Sequence, residues 1–183
     1  MTVAREVALL RGVNVGGHRR VPMADLRDLA GDLGLRDAAT FIQSGNLVFT
    51  SALKPAAAAA KLEKKIAKRF GFPVDVVVRT AAEWARLAEG NPFKAASAKA
   101  PDRVWLLMAK KPPTPGGAEA LAARAAAGEE VLQVGDAVWV HIPGGLGTSK
   151  LSTALCDRLL GSPTTARNWR TVVAIRGMLE ARI

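Results

Sequence analysis

The stretch RGVNVGGHRR, from Arg11 to Arg20, collects the residue types that hold anions: Arg11, Arg19 and Arg20 stand around Asn14 with Gly12, Gly16 and Gly17 between them. Glycine admits positive φ and close approach to a ligand, and exposed backbone N–H groups beside arginines can cradle a phosphate or carboxylate. The spacing matches neither the Walker P-loop nor G-x-G-x-x-G, so neither nucleotide fingerprint is present. Glycines in this number also serve a plain tight connection with solvated charges, and both readings stand at this point.

Three further clusters carry hydrogen-bonding groups. Gln43, Ser44 and Asn46 surround Gly45, where Gly-Asn alone would satisfy a turn. PGGLGTSK, residues 143–150, places glycines, hydroxyls and Lys150 where Thr148 or Ser149 is expected to cap a helix; a cation there opposes the helix dipole, a mild local cost that an anion or carboxylate partner would offset. TTARNWRT, residues 164–171, puts Arg167, Asn168, Trp169 and Arg170 into the expected first turns of the last helix. Arg167 has the planar fork suited to carboxylate or phosphate, and Trp169 falls on the apolar face as a core anchor.

Other chemistry finds little material. Cys156 lies inside a helical run, as a buried inert thiol would, and His18 and His141 have no orienting acid in sequence, so no Ser-His-Asp relay is proposed. One cysteine and two histidines exclude a disulfide framework and a cysteine-rich zinc site, and make a protein-built metal centre an unsuitable reading. The acidic residues, among them Asp25, Asp28, Asp32, Glu129 and Glu130, are expected on exposed helix faces. No cofactor is implied.

The elements that must position these clusters follow from periodicity. Val7 to Leu10 form a continuous apolar run, as in a strand covered on both faces. Met23, Leu26, Leu29 and Leu33 repeat at helical spacing after Pro22, and Gly34 ends the run. Thr40 to Ile42 and Leu47 to Phe49 read as a hairpin, Pro55 to Phe70 as a helix, and Val74 to Val78 as a strand. This order is the ferredoxin-like split βαβ arrangement, an antiparallel sheet with helices packed on one face. Thr80 and Glu83 then make a capping box for a short helix with Trp84 and Leu87.

From Val104 the order recurs: a strand to Met108, a loop at KKPPTPGG, an alanine-rich helix through Leu121, a hairpin turning at Gly135-Asp136, and a helix bearing Leu151, Leu155 and Leu159. Here the second half is expected to end in a helix where the first had a strand. The reading is an α+β, duplicated ferredoxin-like fold, with halves at 1–95 and 96–183 in one compact unit.

Length and composition agree. The chain has 183 residues, 49% hydrophobic and 23% charged, which excludes a disordered tail protein. No apolar run approaches the roughly 20 residues that span a bilayer, and the N-terminus lacks a signal-peptide core, so a cytoplasmic location with no membrane partner is expected. With 26 Lys and Arg against 16 Asp and Glu the charge is +10, which favours anionic partners.

The quoted residues resemble a bacterial family, domain of unknown function 1697. The resemblance rests on LLRGVNVGGHRRVPMADLR from Leu9, FIQSGNLVF from Phe41, TSKLSTAL from Thr148 and TTARNWRTV from Thr164, spread over nearly the whole chain. It implies a duplicated ferredoxin-like α/β arrangement. Its motifs map onto Arg11, Gly12, Asn14 and Gly17, then Gln43, Ser44, Gly45 and Asn46, then Lys150, and finally Arg167, Asn168, Trp169 and Thr171.

Two functions from different classes follow. The first is binding of a phosphate-bearing ligand, a nucleotide or nucleic acid, at a shared basic patch: Arg11, Lys150 and Arg167 as charged contacts, Gln43, Asn46 and Asn168 as orienting groups, with Asn14, Gly17 and Ser44 beside them. The alternative is an enzyme acting on a small anionic metabolite, with Lys150 as acid, base or electrostatic stabiliser and Arg11 or Arg167 holding a carboxylate. Both expect these positions to converge although they span most of the chain. A third, structural reading has the clusters merely tie the halves together. An RNA-recognition sheet is disfavoured by five Phe, four Trp and no Tyr.

Overall fold

In the computed structural model, which describes residues 3–181, the chain forms two compact units. The first holds the residues up to Ala85 together with those from Ala174 onward, and the second runs from Arg86 to Val173.

The first unit is built as β1 (Ala4–Leu10), α1 (Met23–Asp32), β2 (Arg36–Phe41), β3 (Asn46–Ser51), α2 (Pro55–Phe70) and β4 (Val76–Thr80). Its sheet has the order β2-β3-β1-β4, antiparallel at every pair. Ala8, Leu10, Leu47, Phe49, Val76 and Val78 face Leu26 and Leu29 of α1 and Leu62 and Ile66 of α2 in one apolar core. Val7, Leu9, Val48 and Val77, on the other face, are buried as well. This two-sided cover is why β1 reads as an unbroken apolar run rather than an alternation. Gly71, at φ 80, ends α2 in the left-handed conformation.

Helix α3 (Ala81–Glu89) starts on the expected capping box: Thr80 N donates to Glu83 Oε2 at 2.8 Å, and Glu83 N donates to Thr80 Oγ1 at 3.2 Å. A six-residue helix, α4 (Lys94–Lys99), follows Asn91. Too short for an apolar stripe, it was not foreseeable from periodicity.

The second unit repeats the motif as β5 (Val104–Ala109), α5 (Gly117–Ala122), β6 (Glu130–Val134), β7 (Ala137–His141), α6 (Thr153–Leu160) and β8 (Thr164–Asn168), with sheet order β6-β7-β5-β8. Leu107, Val131, Val138 and Val140 pack against Leu121, Cys156 and Leu160. The order of strands equals that of the first sheet, so the duplication of a ferredoxin-like arrangement is complete.

Two expectations need correction. The second half does not replace its final strand with a helix: Thr164–Asn168 is strand β8, paired to β5, and α7 (Trp169–Glu180) follows it as α3 follows β4. TTARN has no apolar alternation, so the helical period that begins at Trp169 masked it. Nor do Thr148 or Ser149 cap α6. Residues Leu146–Thr148 form a 3₁₀ turn, and Ser152 is the cap, its Oγ accepting from Leu155 N at 3.3 Å. The loop KKPPTPGG, loose by composition, is held along the end of α6 by Lys110 N to Pro163 O (2.9 Å), Lys111 N to Ser162 Oγ (3.1 Å) and Thr114 N to Leu160 O (3.1 Å).

Candidate functional site: a cleft at the start of helix α1

The β1–α1 loop and the β2–β3 turn come together at one end of the first sheet. Leu10 N donates to Gly45 O at 2.8 Å, and the Asn14 side chain donates to Gln43 O at 2.7 Å and Val21 O at 2.9 Å while accepting from Val21 N at 2.8 Å. Arg11, Asn14, Gln43, Ser44 and Asn46 therefore gather as their residue types suggested. Gly17 lies in the exposed part of the same loop.

Several of these side chains hold the scaffold rather than face outward. Asn14 sits at φ 56, a conformation asparagine tolerates, and its amide bridges the two ends of the loop to the turn. Asn46, fully buried as the first residue of β3, donates to Phe41 O at 3.1 Å and Ser44 Oγ at 2.9 Å. Gly45, at φ 73, meets the Leu10 and Val13 side chains so closely that a Cβ would lie 2.7 Å from each. Arg11 stands beside Asp75, Nη1 to Oδ2 3.9 Å, in a small hollow shared with Arg19 and Glu63.

Against this scaffold opens a cleft of about 540 Å³ at the N-terminus of α1, where Arg20, Arg27, Gln43 and Asn14 line the space beside Pro22, Met23 and Ala24. No side chain caps this helix end: Pro22 occupies the cap position, and the first helical hydrogen bond is Leu26 N to Pro22 O. Proline has no side-chain acceptor, so the amides of the first turn are left without a side-chain cap and point outward with the positive end of the helix dipole. Asp25, the acidic residue of that turn, is paired with Arg69 at 3.0 Å. Arg27 is steadied by Nη1 donating to Thr40 Oγ1 at 2.7 Å. Arg20 belongs to the basic stretch, but nothing in the sequence sets it above its neighbours, and Arg27 lies outside every polar cluster. Its only signal is a place in the helical run, five residues after Pro22.

Lys150 and Arg167 lie in the second unit. Lys150 is exposed, in the segment between the 3₁₀ turn and α6 rather than inside a helix. Arg167 corrects its assignment to the start of α7: it is a strand residue, 7% exposed, with Nη1 donating to Thr165 Oγ1 and Ala166 O, both at 2.8 Å. Burial lowers its pKa to about 10, which leaves it cationic at neutral pH. Asn168 caps α7, Oδ1 accepting from Thr171 N at 3.0 Å, and Trp169 packs its ring 5.9 Å from that of Trp139.

Cys156 is buried, and burial pushes its thiol up to about 11, far from a nucleophile's range. His141 Nδ1 lies 3.2 Å from Glu130 Oε1, a partner invisible in sequence because the β6–β7 hairpin supplies it. Glu6, expected nowhere as special, is fully buried in the centre of β1 with both carboxyl oxygens unpartnered. Burial and then the Glu83 carboxylate push its pKa up to about 7. Among the described residues no three of His, Cys, Asp or Glu gather as a metal site, and no helix is long and apolar enough to cross a membrane.

Residues 3–139 match a family described as protein of unknown function, DUF1697. A search of solved structures finds the conserved bacterial protein SP0830 from Streptococcus pneumoniae, 26% identical, with a TM-score of 0.73 over 98% of this chain and 100% of the other. Among curated proteins none matches.

Proposed function

The chain belongs to the DUF1697 family, and on that footing we propose that it binds a small phosphate-bearing ligand, a nucleotide by preference of size and charge, in the cleft at the start of α1. The observation that carries this reading is the uncapped first turn of α1 opening into a cleft of about 540 Å³ between Arg20 and Arg27. That volume lies within the roughly 300–1,000 Å³ of small-molecule sites. Backbone N–H groups and a helix N-terminus favour an anion, and two guanidinium groups add charge-assisted hydrogen bonds. Arg11 stands beside the Asp75 carboxylate and Arg167 is buried, so the ligand contacts move to Arg20 and Arg27, which line the cleft, with Gln43 as orienting group.

The test is titration calorimetry of the full chain with inorganic pyrophosphate and with adenosine monophosphate. Both should bind, and the double variant Arg20→Ala/Arg27→Ala should weaken each at least tenfold with an unchanged melting temperature. Absence of binding to both probes, or equal affinity in the variant, overturns the proposal.

A second reading has one specific observation behind it. Lys61, Lys64, Lys65 and Lys68 form a row along α2 over Leu33, and among the described ion pairs only Lys65 of the four has an acidic partner, Asp32 at 3.2 Å. Such a row suits a nucleic-acid backbone. Affinity for duplex DNA would then fall with salt at a slope near −0.9 per neutralised phosphate, and Lys61→Glu/Lys64→Glu/Lys68→Glu would flatten it.

A further inference from the structure

Each sheet has two edges, and three of the four are obstructed. Strand β2 carries a register irregularity between Arg36 and Ala39 with Asp37 at φ 53, a bulge of the kind that turns an edge away from pairing. On β4 and β8 an arginine already holds a carbonyl of its own strand: Arg79 Nη1 to Val78 O at 2.9 Å, and Arg167 Nη1 to Ala166 O at 2.8 Å. Strand β6, EVLQV, has no proline, no lysine or arginine and no bulge, and it pairs with β7 in unbroken register from Glu130↔His141 to Val134↔Ala137.

The hairpin fixes which of its backbone groups are open. A two-residue turn, Gly135-Asp136, is closed by Val134↔Ala137, the pair that exchanges both hydrogen bonds. Alternation along an antiparallel ladder then turns the N–H and C=O of Leu132 toward β7 and those of Val131 and Gln133 outward. Beside these outward groups, Leu132 and Val134 hold their side chains 46% and 40% exposed.

We propose that β6 is a self-association edge: two copies of the chain pair their β6 strands antiparallel about a two-fold axis through Leu132, joining two four-stranded sheets into one of eight. The register is self-complementary. With Leu132 opposite its own copy, Val131 meets Gln133 of the second copy and Gln133 meets Val131, so all four outward groups on each strand's pair of residues find partners. Glu130 falls opposite Val134 rather than a second glutamate, and Leu132 contacts Leu132 at a non-hydrogen-bonded pair, where side chains lie closest. Any shift by one residue breaks this match, because it sets inward-facing groups against outward ones. The acidic residues Glu129 and Asp136 approach their counterparts at the two ends of the joint, so added salt should tighten the pairing, the opposite of its effect on phosphate binding.

Sedimentation equilibrium of the full chain tests this. The mass should rise from monomer toward dimer below about 1 mM, the range where association is still measurable, and more so in about 0.5 M salt. Leu132→Lys should leave a monomer with an unchanged melting temperature. Gln133→Pro removes an N–H that takes no part in the β6–β7 ladder, and it should block pairing also. A monomer at every concentration, or a dimer that survives both substitutions, overturns the proposal; if Gln133→Pro lowers the melting temperature, Leu132→Lys decides alone.

Discussion

Arg79 and Arg167 occupy one place in the two repeats: each is the next-to-last residue of the fourth strand, and each donates Nη1 to the carbonyl just before it, Val78 O at 2.9 Å and Ala166 O at 2.8 Å. Each is followed by the side chain that caps the next helix, Thr80 for α3 and Asn168 for α7. The pattern of strand, arginine, cap and helix is the clearest residue-level trace of the duplication. It also explains Arg167: a strand position shared with a structural arginine in the other repeat, rather than a contact reserved for a ligand.

Arg167→Ala should therefore lower stability by about 2–4 kcal/mol, since it removes bonds to Thr165 and Ala166 from a buried site. Arg79→Ala, at a half-buried position, should cost less. Chemical denaturation of both variants checks the order, and equal losses would count against it.

Gly45→Ala should destabilise the first unit by about 2–4 kcal/mol, because the new Cβ meets Leu10 and Val13 side chains at 2.7 Å and the residue must keep φ near 73. Gly17→Ala, with nothing within 4 Å, carries only the backbone term of about 1–2 kcal/mol. The difference between the two unfolding midpoints is the measurement.

Glu6 gives the fold a pH dependence of definite sign. Its folded pKa of about 7 lies above the ordinary 4.5, so the folded chain keeps a proton that the unfolded chain has released. Its contribution is complete below 4.5 and is lost as pH rises through 7. Stability should fall by roughly 1–3 kcal/mol across that window. In Glu6→Gln this part of the slope should vanish, as thermal melts at a series of pH values would record.

Asn46→Ala should cost about 1–3 kcal/mol by stripping a buried amide from Phe41 O and Ser44 Oγ. Lys150→Ala should stay within about 0.5 kcal/mol of the parent chain, because the side chain is exposed. If the order reversed, the assignment of Asn46 to the scaffold would be wrong.

The helices were the most legible part of the chain where a long apolar stripe ran along one face: the helix expected from about Pro55 to Phe70 is α2, and Gly71 ends it. Strand β8 was hidden because TTARN buries Thr164, Thr165 and Arg167, residues that do not look apolar. At the site, sequence found the loop and the turn that meet, since glycine and asparagine mark such bends. It could not tell Asn14 and Asn46, which bond backbone, from Arg20 and Arg27, which face the cleft. That distinction depends on which way a side chain leaves its strand or helix, and one misjudged residue reverses it.

Helix α7 begins in one unit and ends in the other, where the Arg5 guanidinium meets the carbonyl of Ala181. The second unit is thus an insertion within the first, and no single cut in the polypeptide separates them whole. During synthesis, at roughly 5–20 residues per second, the inserted unit has all of its chain before the outer one receives its last segment. The part made first is completed last, and until then β1 stands without the helix end that Arg5 meets.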